Sequence, residues 1–523
     1  MTPAVLALAL LHAACSLALV AFAAHALALA ALARGAIPRA RARQDAAIAA
    51  FRARAVLDTD WPVVTTQLPL YDEAEVATRA IDAAVALDYP AGRHQVQVLD
   101  DSRDVCAAIV EDHVRELARA GVWVELVRRE GRDGYKAGAL AHGLATAQGE
   151  LVAVFDADFV PPPDFLRRAV PLVLASADLG CVQGRWEHLP AGDGGWLARA
   201  QRAGIDAHFA VEQAARSAAG LYLNFNGTAG VWRRSAIDQG GGWRADTLAE
   251  DLDLSYRAQL AGWRIDFAPD LACPAEVPGT IAALAAQQRR WARGSMRVAV
   301  RALVPVWRAP GSLLRKLAAT FHLGQYLVSA LMVALVVLAW PLVVWGPAPE
   351  TFGAWSPVAA LVVVASALAP CACACAAGHA LGRLGSAARA LPALVVLGAG
   401  LSLNNAVAAL RGVFPGGGEF VRTPKDGGRG VHGRYRAPPS SLWWAELSLG
   451  AHAAAAAVYG VAIGRAWAAP FLAIHAVGLL AVGSATAPWA RRGAAPEAQP
   501  TVAPSEVGSR DLAPDERIAE WAR

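Results

Sequence analysis

Glu250 and Asp251 open a stretch whose apolar members, Leu252, Leu254, Tyr256, Leu260 and Trp263, follow a helical pattern. The acidic pair then falls in the first turn, where unpaired helix amides hold a carboxylate and aim it away from the helix body. Further along, Gln287, Arg290 and Trp291 stand at i, i+3 and i+4, which gathers an amide, a guanidinium and an indole onto one helix face. Such a face suits a sugar phosphate. The indole stacks on a pyranose ring, the amide reads hydroxyls and the arginine holds phosphate. On this reading Asp251 is a general base for a sugar hydroxyl, and the second helix holds donor and acceptor against it.

Five other stretches carry chemistry. Asp156-Ala157-Asp158 follows an apolar run and precedes Pro161-Pro162-Pro163. Two carboxylates one residue apart can share a hard divalent cation, Mg2+ or Mn2+, with the diphosphate of a sugar nucleotide completing the shell. A solvated turn competes for that triplet taken alone, and the acidic residues Asp101 and Asp251 elsewhere weigh against it. Asp100-Asp101-Ser102 reads either as a helix cap or as a strand end whose Asp101 accepts hydrogen bonds from a nucleobase or ribose, the reading favoured here. Lys136 stands between Gly134 and Gly138, where close backbone approach plus a cation fits a phosphate neighbour, against the plainer reading of a solvated lysine. Phe225-Asn226-Gly227-Thr228 is a polar turn in an apolar setting, an acceptor groove or an ordinary turn. The segment with Phe420, Arg422, Thr423 and Lys425 follows three glycines, Gly416 to Gly418. It reads as a basic lid that closes over a nucleotide, against a membrane-surface charge cluster.

These residues must be positioned by strands and helices. Residues 63–68, 95–99 and 151–155 read as strands alternating with helical patterns, the signature of an α/β sheet. They run into Tyr71-Asp72-Glu73, Asp100-Asp101 and Asp156-Ala157-Asp158 respectively. In an open α/β sheet the crevice beyond the strands' carboxyl ends is where ligands bind.

The chain's 523 residues are 55% hydrophobic with a formal net charge of +4, the profile of a membrane protein. Its basic clusters flank apolar segments, which fits a lipid bilayer and not nucleic acid. Residues 3–33 form an apolar run followed by Arg34, Arg39, Arg41 and Arg43. That charge order opposes a cleaved signal peptide and places residue 34 onward in the cytoplasm. Domain expectations are a transmembrane helix in 1–36, a catalytic domain in 55–275, interfacial helices in 276–316, two spans in 317–378, an interfacial helix and lid in 390–440, two spans in 443–489, and a disordered tail in 490–523. The stretch 391–410 is read as re-entrant because the basic loop after it is cytoplasmic only if it does not cross, giving five spans. Cys371, Cys373 and Cys375 read as small apolar packing residues.

Asp101, Asp156-Ala157-Asp158, Glu250-Asp251 and Gln287-Gln288-Arg289-Arg290-Trp291 together resemble the D, DxD, TED and QxxRW pattern of processive family-2 glycosyltransferases. That family includes cellulose and hyaluronan synthases, and the cellulose-synthase-like mannan and glucan synthases are most similar. The resemblance, over roughly residues 61–425, implies a GT-A type, Rossmann-like α/β domain in the cytoplasm, mounted on an α-helical transmembrane channel of the cell (inner) membrane with interfacial helices. It implies that Asp101 and Lys136, with Tyr71 and Glu73 beside them, hold the nucleotide. Asp156 and Asp158 would hold the nucleotide and its Mg2+ or Mn2+, and Asp251, beside Glu250, would be the base. Gln287, Arg290 and Trp291 would hold diphosphate and acceptor, and Phe420, Thr423 and Lys425 would lie in a gating loop. The implied partners are a nucleotide-sugar donor, GDP-mannose or UDP-glucose, a growing polysaccharide acceptor, and accessory secretion subunits. Ala249 and Asp72 depart from the family pattern, which carries Thr and Asn there. Transfer of a single sugar to a lipid carrier, and a nucleotide-binding transporter or scaffold, are the competing functions.

Overall fold

The computed structural model describes residues 2–189, 195–346, 355–414 and 440–491. Seven strands build one sheet: β1 (Val64–Leu70), β2 (His94–Asp100), β3 (Val124–Val127), β4 (Leu151–Val154), β5 (Leu179–His188), β6 (Gly230–Arg233) and β7 (Arg264–Ala275). Their order is β3-β2-β1-β4-β6-β5-β7. β3, β2, β1 and β4 run parallel, as the alternating pattern predicts. β6 is antiparallel to both β4 and β5, and β5 pairs parallel with β7, so the sheet is mixed. The three expected strands start and stop within about two residues of their predicted limits, because each is a buried run bounded by polar turns. Apolar side chains from both sheet faces pack into two clusters, one with Val96, Val98 and Phe165, the other with Val152, Phe225 and Trp232.

The first helix overruns its prediction. It spans Pro3–Arg54, 52 residues, straight through Pro38. Residues 34–54 are rich in alanine and arginine, strong helix formers, and their summed propensity carries the helix past the single donor lost at the proline. Its distal part is fastened to β7: Arg41 pairs with Asp270 at 2.8 Å, Arg43 with Asp266 at 2.7 Å, and Gln44 Nε2 donates to the Phe267 carbonyl at 2.8 Å. Phe51 meets Trp61 edge-on, ring centroids 4.8 Å apart.

The span count is read over the residues whose side chains are described, and the expected span in 355–378, a helix over Trp355–Ala380, falls partly outside them. Among the described residues, three helices are long and apolar enough to cross a membrane, Pro3–Arg54, Leu327–Trp345 and Ala469–Thr486. Leu384–Gly400 and Ser402–Val413, bent by 48° at their junction, make a fourth if they act as one span. The expected continuous helix over 317–345 is broken after Leu323, where Gly324 follows Leu313–Leu323. Trp443–Ala462, expected as a span, is an Ala-rich helix carrying Glu446 and is not among the three. Within the stretch 276–316, expected to hold interfacial helices, one helix runs Ile281–Arg308, and the Thr280 hydroxyl caps it by accepting from Ala283 N.

Candidate functional site

The turns after β1, β2 and β4 and two helix segments converge on one cavity of about 550 Å3. Tyr71, Glu73 and Asp101 line it from β1 and β2, Asp156 and Asp158 from β4, and Glu250 and Asp251 from the first turn of the Glu250–Leu260 helix. Gln287, Arg290 and Trp291 enter from the Ile281–Arg308 helix. Lys136, Asn226 and Gly227 line it too, whereas Asp72, Asp100, Ser102 and the fully buried Phe225 and Thr228 do not. Phe420, Thr423 and Lys425 lie outside the described residues.

Lys136 ties the acidic groups together. Its Nζ lies 2.6 Å from Asp156 Oδ1 and donates to the Gly227 carbonyl at 2.8 Å. Burial alone lowers an ammonium's pKa, yet Asp156 and Glu250 outweigh it and raise that of Lys136. Gly227 adopts φ +84°, and a methyl group built there would stand 2.9 Å from Asp251 Oδ2 and 3.3 Å from Lys136 Nζ. Only a residue without a side chain lets this turn lie against both charges. Asp251 Oδ1 accepts from Leu252 N at 2.7 Å, which leaves Oδ2 as the oxygen beside the Gly227 turn.

Electrostatics separates the carboxylates by task. Burial, with the Glu250 charge second, raises the Asp251 pKa to about 7. Burial likewise raises Glu250, against the pull of Lys136. A carboxyl poised near neutrality suits a general base. If Asp251 must be ionised to act, kcat/KM for transfer should climb as pH rises through about 7 and level off above it. A profile flat from about pH 5 to 9 would remove Asp251 from that role. The Arg290 guanidinium is lowered by burial while Glu250, Asp156 and Asp158 oppose that shift, so one cation sits in the field of the whole acidic group.

Asp101 is held by Arg129, whose Nε lies 2.8 Å from Oδ1 and whose Nη2 lies 2.5 Å from Oδ2. Two charge-assisted bonds fix that carboxylate at the cavity edge. Asp72, the departure from the family's asparagine, sits at φ +50° and accepts from Arg103 N at 2.9 Å, work that either residue type performs. The turn before Glu250 docks on the second helix: Thr247 Oγ1 donates to the Gly294 carbonyl at 3.1 Å. A methyl group on Gly294 would come within 2.8 Å of Ala249 N, so glycine there sets the spacing of the two helices.

For a divalent cation, Asp156 and Asp158 supply hard oxygen donors at one end of the cavity, of the kind Mg2+ and Mn2+ take. Among the described residues no cluster of three or more His, Cys, Asp or Glu side chains forms a complete metal shell. The pair therefore fits a cation whose remaining ligands come from elsewhere, such as phosphate oxygens and water.

Several cavity residues escape the sequence patterns. Trp186 neighbours Trp291 with ring centroids 6.4 Å apart and planes tilted by 55°, and His208, Asn224 and His322 line the same cavity. The spacing of His208 and Glu212, i and i+4 on one helix, was the available signal.

Residues 62–294 match the family described as glycosyltransferase like family 2, and that stretch holds the whole mixed α/β sheet together with the acidic residues, Gln287, Arg290 and Trp291 of the cavity. Glucomannan 4-beta-mannosyltransferase 7 of Arabidopsis thaliana is 40% identical over 262 residues, 49% of this chain and 44% of that relative. Probable glucomannan 4-beta-mannosyltransferase 6 of Oryza sativa subsp. japonica is 45% identical over 241 residues, 45% of this chain and 41% of the relative. The chain spans less than half the length of these relatives. Among solved structures, the mannosyltransferase PcManGT from Pyrobaculum calidifontis in complex with GDP-Man and Mn2+ aligns at 21% identity with a TM-score of 0.43, covering 64% of this chain and 98% of that one.

Proposed function

We propose that this protein is a membrane-embedded, inverting glycosyltransferase that elongates a β-linked polysaccharide from a nucleotide sugar, with mannosyl units from GDP-mannose as the donor to test first. The observation that carries the reading is the cavity itself, where a base-like carboxylate, a cation pair and an amide-indole face meet within one wall. The relatives named as mannosyltransferases support mannose over glucose.

Asp251 takes the proton from an acceptor hydroxyl, whose oxygen attacks the anomeric carbon while the bond to the diphosphate breaks on the far face. A single base without a covalent nucleophile inverts the configuration. Asp156 and Asp158 would hold Mg2+ or Mn2+, which neutralises the negative charge of the departing diphosphate when bound. Arg290 lies close enough to those carboxylates to hold the same diphosphate, and Lys136 keeps Asp156 and the Gly227 turn in place. Trp291, with Trp186 behind it, offers a stacking surface for the acceptor's pyranose ring. The cavity runs on to Leu394, Leu397 and Leu401 of the bent helix pair. We infer that the product leaves in that direction, through the bilayer, with the catalytic domain on the cytoplasmic side.

The test is to incubate membranes carrying the protein with labelled GDP-mannose or UDP-glucose, then size the product and digest it with an endo-β-mannanase. A mannanase-sensitive polymer is expected; a single sugar on a lipid, or no incorporation from either donor, overturns the reading. Trp291→Ala is expected to cut chain elongation about tenfold or more, since one lost stacking platform weakens binding by roughly 1–3 kcal/mol. Donor hydrolysis should fall far less, and equal losses would argue against stacking.

A further inference from the structure

Asn224, Asn226 and Gly227 line the same cavity as Trp291, and the two asparagine amides are held by a chain of polar groups that are buried or partly buried. The helix Gly195–Ala207 continues through a π-helical turn, His208–Gln213, into Ala214–Ala218. Such insertions re-aim side chains and recur at functional sites. Here the turn puts His208, Glu212 and Gln213 together under the Asn224–Gly227 turn. His208 Nδ1 faces Glu212 Oε2 at 3.0 Å, and its Nε2 faces Asn226 Oδ1 at 2.9 Å. The other oxygen of Glu212 accepts from Arg216 Nε at 2.9 Å, so this carboxylate is locked and acts only as acceptor.

Amide orientation follows from the same bonds. Asn224 Oδ1 accepts from Gln213 Nε2 and His322 Nε2, both at 3.1 Å, while Tyr256 OH lies 2.8 Å from His322 Nδ1. Asn224 must therefore turn its nitrogen to Asn226, and it donates to Asn226 Oδ1 at 2.9 Å. With Asn224 Nδ2 donating to Oδ1, and His208 Nε2 set against the same oxygen, Asn226 keeps its Nδ2 on the remaining side, where its contact among the described residues is a 3.5 Å approach to the Asn224 carbonyl. The next residue, Gly227, lies against Asp251 Oδ2.

We propose that His208, oriented by Glu212, fixes the Asn226 amide so that its N–H donates to a hydroxyl oxygen of the acceptor sugar beside Asp251. Asn226 is then a substrate-reading residue and His208 its positioning residue. This rests on the glycosyl-transfer reading above.

Glutamine and asparagine at 208 separate the two ring nitrogens, because a glutamine amide reaches the place of Nε2 and an asparagine amide that of Nδ1. With the full chain in membranes, GDP-mannose as donor and β-1,4-mannotetraose as acceptor, His208→Gln is expected to keep the acceptor KM within about threefold of the original. His208→Asn and His208→Ala should raise it about tenfold, the loss of one well-placed hydrogen bond, with the KM for GDP-mannose moving much less. Asn226→Ala should match His208→Ala, and the double variant should lose little more than either single one. Asparagine performing as well as glutamine, or donor and acceptor KM rising together, overturns the clamp. An original protein that transfers nothing from GDP-mannose overturns the function it rests on, so the two failures are distinct.

Discussion

Asp251→Asn is expected to lower sugar transfer by about 10²–10⁴-fold, the range a positioned general base contributes, while nucleotide binding stays within a few-fold. The amide keeps the acceptor oxygen that Leu252 N bonds at 2.7 Å, so the helix start survives the change. It also removes a charge that burial and Glu250 already disfavour. A folded pKa raised above the unfolded value means that stability is lost as pH rises through about 7, where the carboxyl must ionise. The variant should therefore unfold at the same temperature or higher at alkaline pH while its activity collapses, an exchange of stability for function common at active sites. Near-normal transfer would strip Asp251 of the base role, and a fall in both activity and unfolding temperature would point to a structural one instead. The paired measurement is a radiolabelled transfer assay beside a thermal melt across pH.

Chelation of divalent cations is expected to reduce transfer by about 10²-fold or more, since a metal acting on a diphosphate supplies several kcal/mol and each ~1.4 kcal/mol is tenfold. Asp158→Asn should raise the Mn2+ or Mg2+ concentration needed for half-maximal rate. Asp156→Asn should do the same and also release Lys136, which sits 2.6 Å from Asp156 Oδ1. Loss of that partner leaves the lysine with the Gly227 carbonyl and the charges of Glu250 and Asp251 but without its own ion pair, so Asp156→Asn should cost more stability than Asp158→Asn. Full activity in excess chelator would show that the pair Asp156 and Asp158 serves another purpose. Titration of activity against each metal, with melts of both variants, decides the matter.

The parts of the site legible in the sequence were those whose chemistry is local. Asp156 and Asp158 follow a fully buried strand, and a carboxylate ending such a strand has few places to go but the crevice. Glu250 and Asp251 declare a helix start, and Gln287, Arg290 and Trp291 share a face by periodicity alone. What stayed hidden depends on residues brought together from afar. Asn224 meets His322 across 98 positions of chain, and no spacing rule connects them. The antiparallel β6 was equally silent, since its four residues between β4 and β5 owe their direction to the sheet around them. The overrun of the Pro3–Arg54 helix had a cause in plain view: the change from leucine to arginine after residue 33 alters what the helix touches, not whether it forms.

That long helix has a mechanical meaning. At ~1.5 Å per residue it is a strut of about 80 Å, with its leucine-rich part suited to lipid and its other end bolted to β7 through Arg41, Arg43 and Gln44. A strut bolted to the sheet in this way ties the leucine-rich run and the site-bearing sheet to one rigid lever, so a tilt of either is passed to the other.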